Sequence, residues 1–493
     1  MSHWIIAPVI LPAVLAALIV LLARGNLALQ RGLAGAGVVV LAGIAVALLM
    51  AASNGPEAYR LGNWPAPFGI VLVLDRLSAL MLALVAGLSV PVLIHVIATG
   101  WDRRGRHFHA LFLFQLMGLN GAFLTGDAFN LFVFFEVLLI ASYGLMVHGG
   151  GADRLRAGVQ YVALNLVGST LFLIALATIY AVTGTLNMAD LAGKVAALPV
   201  GESGLIRAAA LMLMLVFAVK GALVPLHFWL PGTYANAPGP VAALFAIMTK
   251  VGAYAVIRTG TLVFPTLWPM IGGVLAPAAV ATIAVGAIGV LGSRQLARLA
   301  AFAAIGSMGL LFLAVSDGSA QATAAALYYL IHSTLATAVL FLLADLVLAR
   351  RQDLALSARA PMAGGGVVAI LFMAAAVAMA GMPPLSGFVG KLLVMQAMPL
   401  AWVWTVILLA SLVTMIGFAR AGSVLFWKAD ATARPAPQPV AHPVTLLPVV
   451  LLLAGLVAVT LLANPITAWL TETARALHSP AAYIAANALD GGA

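Results

Sequence analysis

Apolar runs of roughly 17 to 25 residues, the length that crosses a bilayer core, follow one another along almost the whole 493-residue chain. Lipid offers no partner to a peptide N–H or C=O, so each such run must satisfy its backbone internally and fold as a helix. About fourteen spans can be counted by length, near residues 4–23, 32–52, 77–98, 108–125, 129–149, 156–182, 205–229, 240–260, 270–291, 296–315, 321–348, 364–396, 401–427 and 444–466. The expected fold is therefore all-α, a polytopic membrane protein. With 64% hydrophobic and 8% charged residues, no water-soluble fold could bury this surface. The first run, "HWIIAPVILPAVLAALIVLLARGN", has no basic flank before it and another apolar run directly after it. It reads as a retained helix rather than a signal peptide.

Assigning the loops alternately to two faces separates the charges. One face receives Arg24, Arg31, Arg103, Arg104, Arg106, Arg154, Arg156, Arg294, Arg298, Arg350, Arg351, Arg359, Arg420, Lys428 and Arg434; the other receives only Arg60, Arg76, Lys194, Arg207, Arg258 and Arg475. The positive-inside rule makes the richer face cytoplasmic and puts both termini outside, as in a bacterial inner-membrane protein. The net charge of +10 follows from this topology; no basic domain offers a duplex a surface, so nucleic acid is not an expected partner. Cysteine is absent, which excludes disulfides and thiolate-held clusters or zinc, and no cofactor or metal centre is expected. Between spans, "NWPAPFGIVLVL" suggests an external hairpin. The Pro-rich "RPAPQPVAHP" reads as a linker, and "ITAWLTETARALHSPAAYIAANAL" as an interfacial helix.

Three lysines remain inside apolar runs, Lys220, Lys250 and Lys391, together with one carboxylate, Glu136. A charge at the bilayer centre costs several kcal/mol unless paired or hydrated, so four of them point to a proton or ion path. Glu136 lies roughly 10 Å below the helix start at Asp127 to Asn130, and Lys250 roughly 14 Å below Val241, both near the middle of a core about 30 Å thick. Lys220 stands five residues before Pro225, and Lys391 follows "AGMPPLSGFVG" with Pro383 and Pro384. Proline frees a carbonyl in the preceding turn, and broken helices are tolerated at this depth where they line hydrated or protein-filled cavities. The bland alternative is a set of isolated salt bridges or caps on broken helices. One pair would explain Glu136 with Lys220 but would leave Lys250 and Lys391 without an acidic partner. His227 and His332 either bond freed carbonyls or relay protons. Thr249, Ser307 and Thr337 are auxiliary polar candidates, and Asp127 and Asn130 read as helix N-caps.

The segments "FFEVLLIASYGLMVHGG", "FAVKGALVPLHFWLPGTYANAPGPVAALFAIMTKVGAYAVIR" and "AGMPPLSGFVGKLL" resemble the signature stretches of the antiporter-like membrane subunits shared by respiratory complex I and the multisubunit Mrp-type cation/proton antiporters. Lysine rather than glutamate at position 391 is most similar to the D-type subunits of the Mrp (or Pha) systems. The resemblance implies two inverted five-helix repeats, each with a broken helix. The chain then divides into an N-terminal three-helix segment with its hairpin (1–107), a first repeat (108–260), a second repeat (261–430), and a linker, last span and tail (431–493). It also implies that Glu136 pairs with Lys220, that Lys250 is the central relay, that His332 belongs to the following hydrated link, and that Lys391 gates the outlet. One position departs from the pattern: where the family commonly carries a lysine, five residues after His332, this chain has Thr337, so transfer from Lys250 to Lys391 must lean on water and His332.

The implied function is proton conduction within a hetero-oligomer, coupled to efflux of Na⁺ or K⁺, with the other antiporter subunits and the bilayer as partners and without covalent catalysis. The metal cation is not expected to bind this chain, because one carboxylate and three lysines make a poor site for a hard cation. Two alternatives stand beside this reading: a proton-pumping subunit of complex I or of a membrane-bound hydrogenase, and a non-conducting assembly scaffold.

Overall fold

The computed structural model describes residues 2–64, 69–199, 203–362, 364–428 and 443–487. The N-terminal part contains α1 (Ala7–Leu22), α2 (Leu27–Ala51) and α3 (Arg76–Thr99), with β1 (Glu57–Arg60) and β2 (Val71–Leu74) between the last two helices. Next come α4 (Phe108–Leu124), α5 (Ala128–Met146), α6 (Ala152–Thr183), α7 (Met188–Ala197), α8 (Gly204–Lys220), α9 (Trp229–Asn236), α10 (Gly239–Phe245) and α11 (Met248–Leu262). The chain continues through α12 (Trp268–Gly292), α13 (Leu296–Ser316), α14 (Ala320–Arg351), α15 (Gly365–Ala380), α16 (Ser386–Ala397) and α17 (Ala401–Gly422). It closes with α18 (Leu447–Leu461), α19 (Ala463–His478) and α20 (Ala481–Asn487).

Among the described residues nine helical runs are long and apolar enough to cross a membrane, α10 and α11 together (Gly239–Leu262) counting as one, or ten if α18 and α19, bent 77° apart, are taken as one span. The expected fourteen is larger because some apolar runs are not single long helices. Helices α1, α4 and α15 have 16 or 17 residues, about 24 to 26 Å of rise against a core of about 30 Å. The runs at α8–α9 and α15–α16 are interrupted. α8 stops at Lys220, after which Ala222 takes a left-handed backbone (φ 54°) ahead of Pro225. α15 stops at Ala380, where Gly381 (φ 76°) turns the chain into Pro383 and Pro384. The span expected at 240–260 is continuous in direction, but between α10 and α11 its hydrogen bonds tighten to three-residue spacing at Ala246 and Ile247, with both residues still helical.

Local chemistry sets the helix ends. Asp75 and Ser78 form a reciprocal capping box on α3, with bonds of 2.9 and 2.8 Å, and Asp127 caps α5 by accepting from the Asn130 N–H at 2.8 Å. The hairpin pairs Glu57 with Leu74 and Arg60 with Val71 in antiparallel register. Its β2 is buried and docks on the α4–α5 turn, where the Gly126 N–H donates to the Val71 carbonyl at 2.8 Å. The segment read as an interfacial helix forms α19 and α20; α19 packs against α14 and α11 and buries Leu470, Thr473, Ala474 and Leu477. The Pro-rich linker lies outside the described residues except for its last proline, Pro443. At the centre stands α11, buried at every position from Met248 to Leu262, so Lys250 rides on a helix with no exposed face.

Candidate functional site

The first broken helix leaves the carbonyl end of α8 inside the protein, and its last residue is Lys220, 7% exposed. A helix C-terminus carries partial negative charge, so an ammonium there is favoured before any ion pair forms. Trp229, from the other half of the broken helix, donates to the Val219 carbonyl at 3.0 Å, and Thr282 of α12 accepts the Val224 N–H at 2.9 Å. These freed backbone groups are thereby satisfied without water. Lys220 itself donates to Asn165 Oδ1 at 2.7 Å.

Glu136, half-buried on α5, accepts a short hydrogen bond from Ser169. Among the described residues no ion pair joins Glu136 to Lys220. Their relation is mediated: Asn165 and Ser169 lie one turn apart on α6, on the same face, with the amide holding the ammonium and the hydroxyl holding the carboxylate. The direct pair implied by the family resemblance is therefore corrected here. The carboxylate remains close enough for its field to reach Lys220. The hydroxyl of Tyr143, two turns beyond Glu136 on α5, is buried without a partner.

Lys250 is fully buried, and its Nζ has no hydrogen-bond partner among the described residues. It sits three residues past the tightened turn between α10 and α11. Two residues further on, Gly252 brings α11 against the end of α8: a Cβ at Gly252 would lie 2.6 Å from the Phe217 carbonyl oxygen and 2.8 Å from the Gly221 nitrogen. Only glycine permits that approach, and it sets the backbone beside Lys250 against the residue after Lys220. Thr249 turns its hydroxyl onto the Ala246 carbonyl at 3.4 Å.

On α14, His332 is fully buried, with Nδ1 3.0 Å from Ser386 Oγ at the start of α16 and Nε2 unpartnered. The charges of Lys391 and Lys250 both act on it. Thr337, five residues on, is fully buried with an unpartnered hydroxyl. Lys391 reaches back across the second break, over Gly381, and donates to the Ala380 carbonyl at 2.6 Å and to Ser411 Oγ at 2.8 Å. Each break thus carries a lysine: Lys220 is the last residue of α8 and reaches Asn165 of α6, whereas Lys391 lies on the half-helix after the second break and sets its ammonium on the carbonyl end of the half before it. A cavity of about 40 Å³, lined by Lys391, Ser307, Tyr329 and Ser411, has room for two or three waters, roughly. His227 lies half-buried in the first break, with Nδ1 unpartnered. Lys250, Thr337 and His332 therefore carry buried polar atoms with no partner among the described residues, an arrangement that is costly in a purely structural core and useful where water or a mobile proton completes the set.

Other polar groups have no counterpart in the sequence reading. Arg258, assigned above to a loop, lies on α11 and is 2% exposed, in a two-pronged pair with Asp75 at 2.6 and 2.7 Å. Asp102 binds Arg31 at 2.6 and 2.9 Å and His109 at 3.1 Å. Asp345 of α14 meets His95 of α3 at 2.8 Å. Asn165 and Ser169 give a faint signal, two polar residues at helical spacing in an apolar run. The pairings of Asp75 with Arg258, Asp102 with Arg31 and Asp345 with His95 join residues distant in sequence and give none.

Amines held at broken helices inside an all-α bundle define a polytopic membrane protein with the antiporter-like subunit fold. The chain belongs to the NADH:quinone oxidoreductase/Mrp antiporter transmembrane family, whose profile matches residues 125–417. It is 40% identical to a protein of Rhizobium meliloti (strain 1021) described as the D subunit of a probable K(+)/H(+) antiporter, over 97% of this chain and 96% of that one. It is 36% identical to the D subunit of the Na(+)/H(+) antiporter of Alkalihalophilus pseudofirmus, over 98% and 99% of the two chains. A chain in the solved structure of the Mrp complex from Dietzia sp. DQ12-45-1b superposes with a TM-score of 0.88 at 26% identity, covering 99% of this chain and all of that one.

Proposed function

We propose that this chain is the D-type, proton-conducting subunit of a multisubunit Na⁺(K⁺)/H⁺ antiporter in a bacterial inner membrane. The observation that carries the reading is Lys250, an amine fully buried on a helix with no exposed face and with no partner among the described residues. Residues 108–260 and 261–430 act as two repeats, with 1–107 and 431–493 flanking them. The arginine-rich face is cytoplasmic and both termini lie outside. Protons pass between Glu136 and Lys220 across Asn165 and Ser169, then to Lys250, and on through His332 and water to Lys391, with Thr337 and Ser307 beside the route. Moving an ammonium toward or away from a carboxylate changes its proton affinity, so a small displacement of Lys220 changes the charge that Lys250 faces. The metal cation crosses in a partner subunit or at a shared interface. The names of the 40% and 36% identical relatives support the assignment.

The deciding experiment is ion flux in liposomes holding the intact complex. Lys250→Ala is expected to assemble normally and lose cation/proton exchange. A complex with this substitution that exchanges ions at the wild-type rate would identify the chain as a scaffold.

A further inference from the structure

Asp345 is 6% exposed, near the arginine-rich end of α14 and thirteen residues beyond His332. Every group around it comes from a different part of the chain. His95 of α3, fully buried, places Nε2 2.8 Å from one carboxylate oxygen, and Trp101 donates its indole N–H across both oxygens at 3.0 Å. The other nitrogen of His95, Nδ1, has no partner among the described residues. Gly239, the first residue of α10, lies so close that a Cβ there would stand 2.8 Å from Asp345 Oδ1. The remaining side borders a cavity of about 260 Å³, whose lining includes Arg154, Asp153, Asn236, Ala237 and Leu348.

The other charged or titratable groups about this cluster are Arg154 of α6, whose charge interacts with Asp345, Arg104, stacked 3.9 Å over the Trp101 ring, and His148, 2.9 Å from the Trp101 carbonyl. From Asp345 two routes lead inward. On α14, Thr337 lies eight residues back, about 12 Å along the axis, with its buried hydroxyl unpartnered. From Gly239, α10 leads through the tightened turn at Ala246 and Ile247 to Lys250 near the start of α11.

We infer that Asp345 and His95 form a proton port, the place where protons pass between this cavity on the arginine-rich face and the path through Lys250. The inference rests on the conducting role proposed above. Its chemistry needs no other reactant. With both ring nitrogens protonated, His95 keeps its Nε2–H bond to the carboxylate and carries the extra proton on Nδ1; releasing that proton leaves a neutral imidazole still bonded to Asp345. The pair therefore gains and loses one proton without coming apart, which a merely structural clip between α3 and α14 would not require.

The chain contains no cysteine, so a single thiol can probe the port. In liposomes holding the intact complex, Ala237→Cys is treated with a charged, membrane-impermeant methanethiosulfonate, with the unsubstituted complex treated in parallel. Loss of exchange is expected when the reagent reaches the arginine-rich face, and no loss when it reaches only the opposite face. Asp345→Asn is expected to assemble, lose exchange, and lose the dependence of the residual rate on pH at that face while keeping it at the other. Full exchange after complete labelling of Ala237→Cys would overturn the port, as would wild-type exchange in assembled Asp345→Asn. If Asp345→Asn fails to assemble, the labelling result decides. Lys250→Ala separates the two claims: if it abolishes exchange while labelling does nothing, the path stands and the port falls; if it leaves exchange intact, the conducting role itself falls.

Discussion

Glu136 and Lys220 are joined through α6, and that arrangement sets what substitutions there should do. Removing either charge leaves the other its own partner on α6 but takes away the field that each exerts on the other's proton affinity. Glu136→Gln and Lys220→Ala are each expected to abolish exchange in assembled complexes. Glu136→Asp, which keeps the charge on a shorter arm, is expected to retain part of it. Wild-type flux in Glu136→Gln would remove the carboxylate from the mechanism. The charges themselves are legible in the sequence, because a lysine or glutamate within an apolar run is conspicuous. Their partners are not: Asn165 and Ser169 are ordinary polar residues whose importance appears only when α6 is placed between α5 and α8. Arg258 is hidden for a related reason. It sits near a helix end, where arginine usually faces water, and only the fold brings it to Asp75, 183 positions away in sequence.

Breaks and close approaches belong to whole elements. Proline and glycine announce the interruptions at Pro225 and at Pro383–Pro384, because both act through local backbone geometry. The change at Ala246–Ile247 contains no such residue and leaves no mark in the sequence: both residues keep helical dihedrals, and only the hydrogen-bond pattern tightens to three-residue spacing just ahead of Lys250. The contact of Gly252 with the end of α8 can be tested directly. Gly252→Val forces a branched side chain against the Phe217 carbonyl and the Gly221 nitrogen, overpacking that typically costs about 1 to 3 kcal/mol. Lower thermal stability of the purified complex and a reduced rate at unchanged subunit composition are the expected results. A variant with wild-type stability and rate would show that the two helices need not meet so closely.

Over the whole molecule, the fold class is legible because apolar length and charge bias are global signals, whereas the number of single long helices is not, since short and broken spans fill the same runs. The ion pairs that tie distant parts together also belong to this scale. Asp102 fastens α2 to the start of α4: burial opposes its ionisation, but hydrogen bonds from His109 and Arg31 outweigh that and hold its carboxyl down at about 2. A carboxyl held low when folded stabilises the fold above its unfolded value of about 3.9 and loses that contribution as pH falls toward the folded value. The stability difference between the wild type and Asp102→Asn should therefore be full at neutral pH and shrink as pH drops below about 4, as read by thermal melts of the purified complex. A difference independent of pH would assign Asp102 a packing role only.

On the proposed reading, cation selectivity belongs to the assembly as well. Protonated lysines along the path repel a metal ion, so Thr249→Ala, Ser307→Ala and Thr337→Ala should change the maximal rate or proton coupling far more than the apparent affinity for Na⁺ or K⁺. A large affinity change confined to these variants would place the cation on this chain. The most direct test of the central claim, that protons pass through Lys250, is proton flux through the intact complex carrying Lys250→Arg. Arginine keeps the charge but does not release its proton in the accessible pH range. The account predicts a complex that assembles and fails to exchange protons at any pH; normal, pH-dependent exchange in that complex would contradict it.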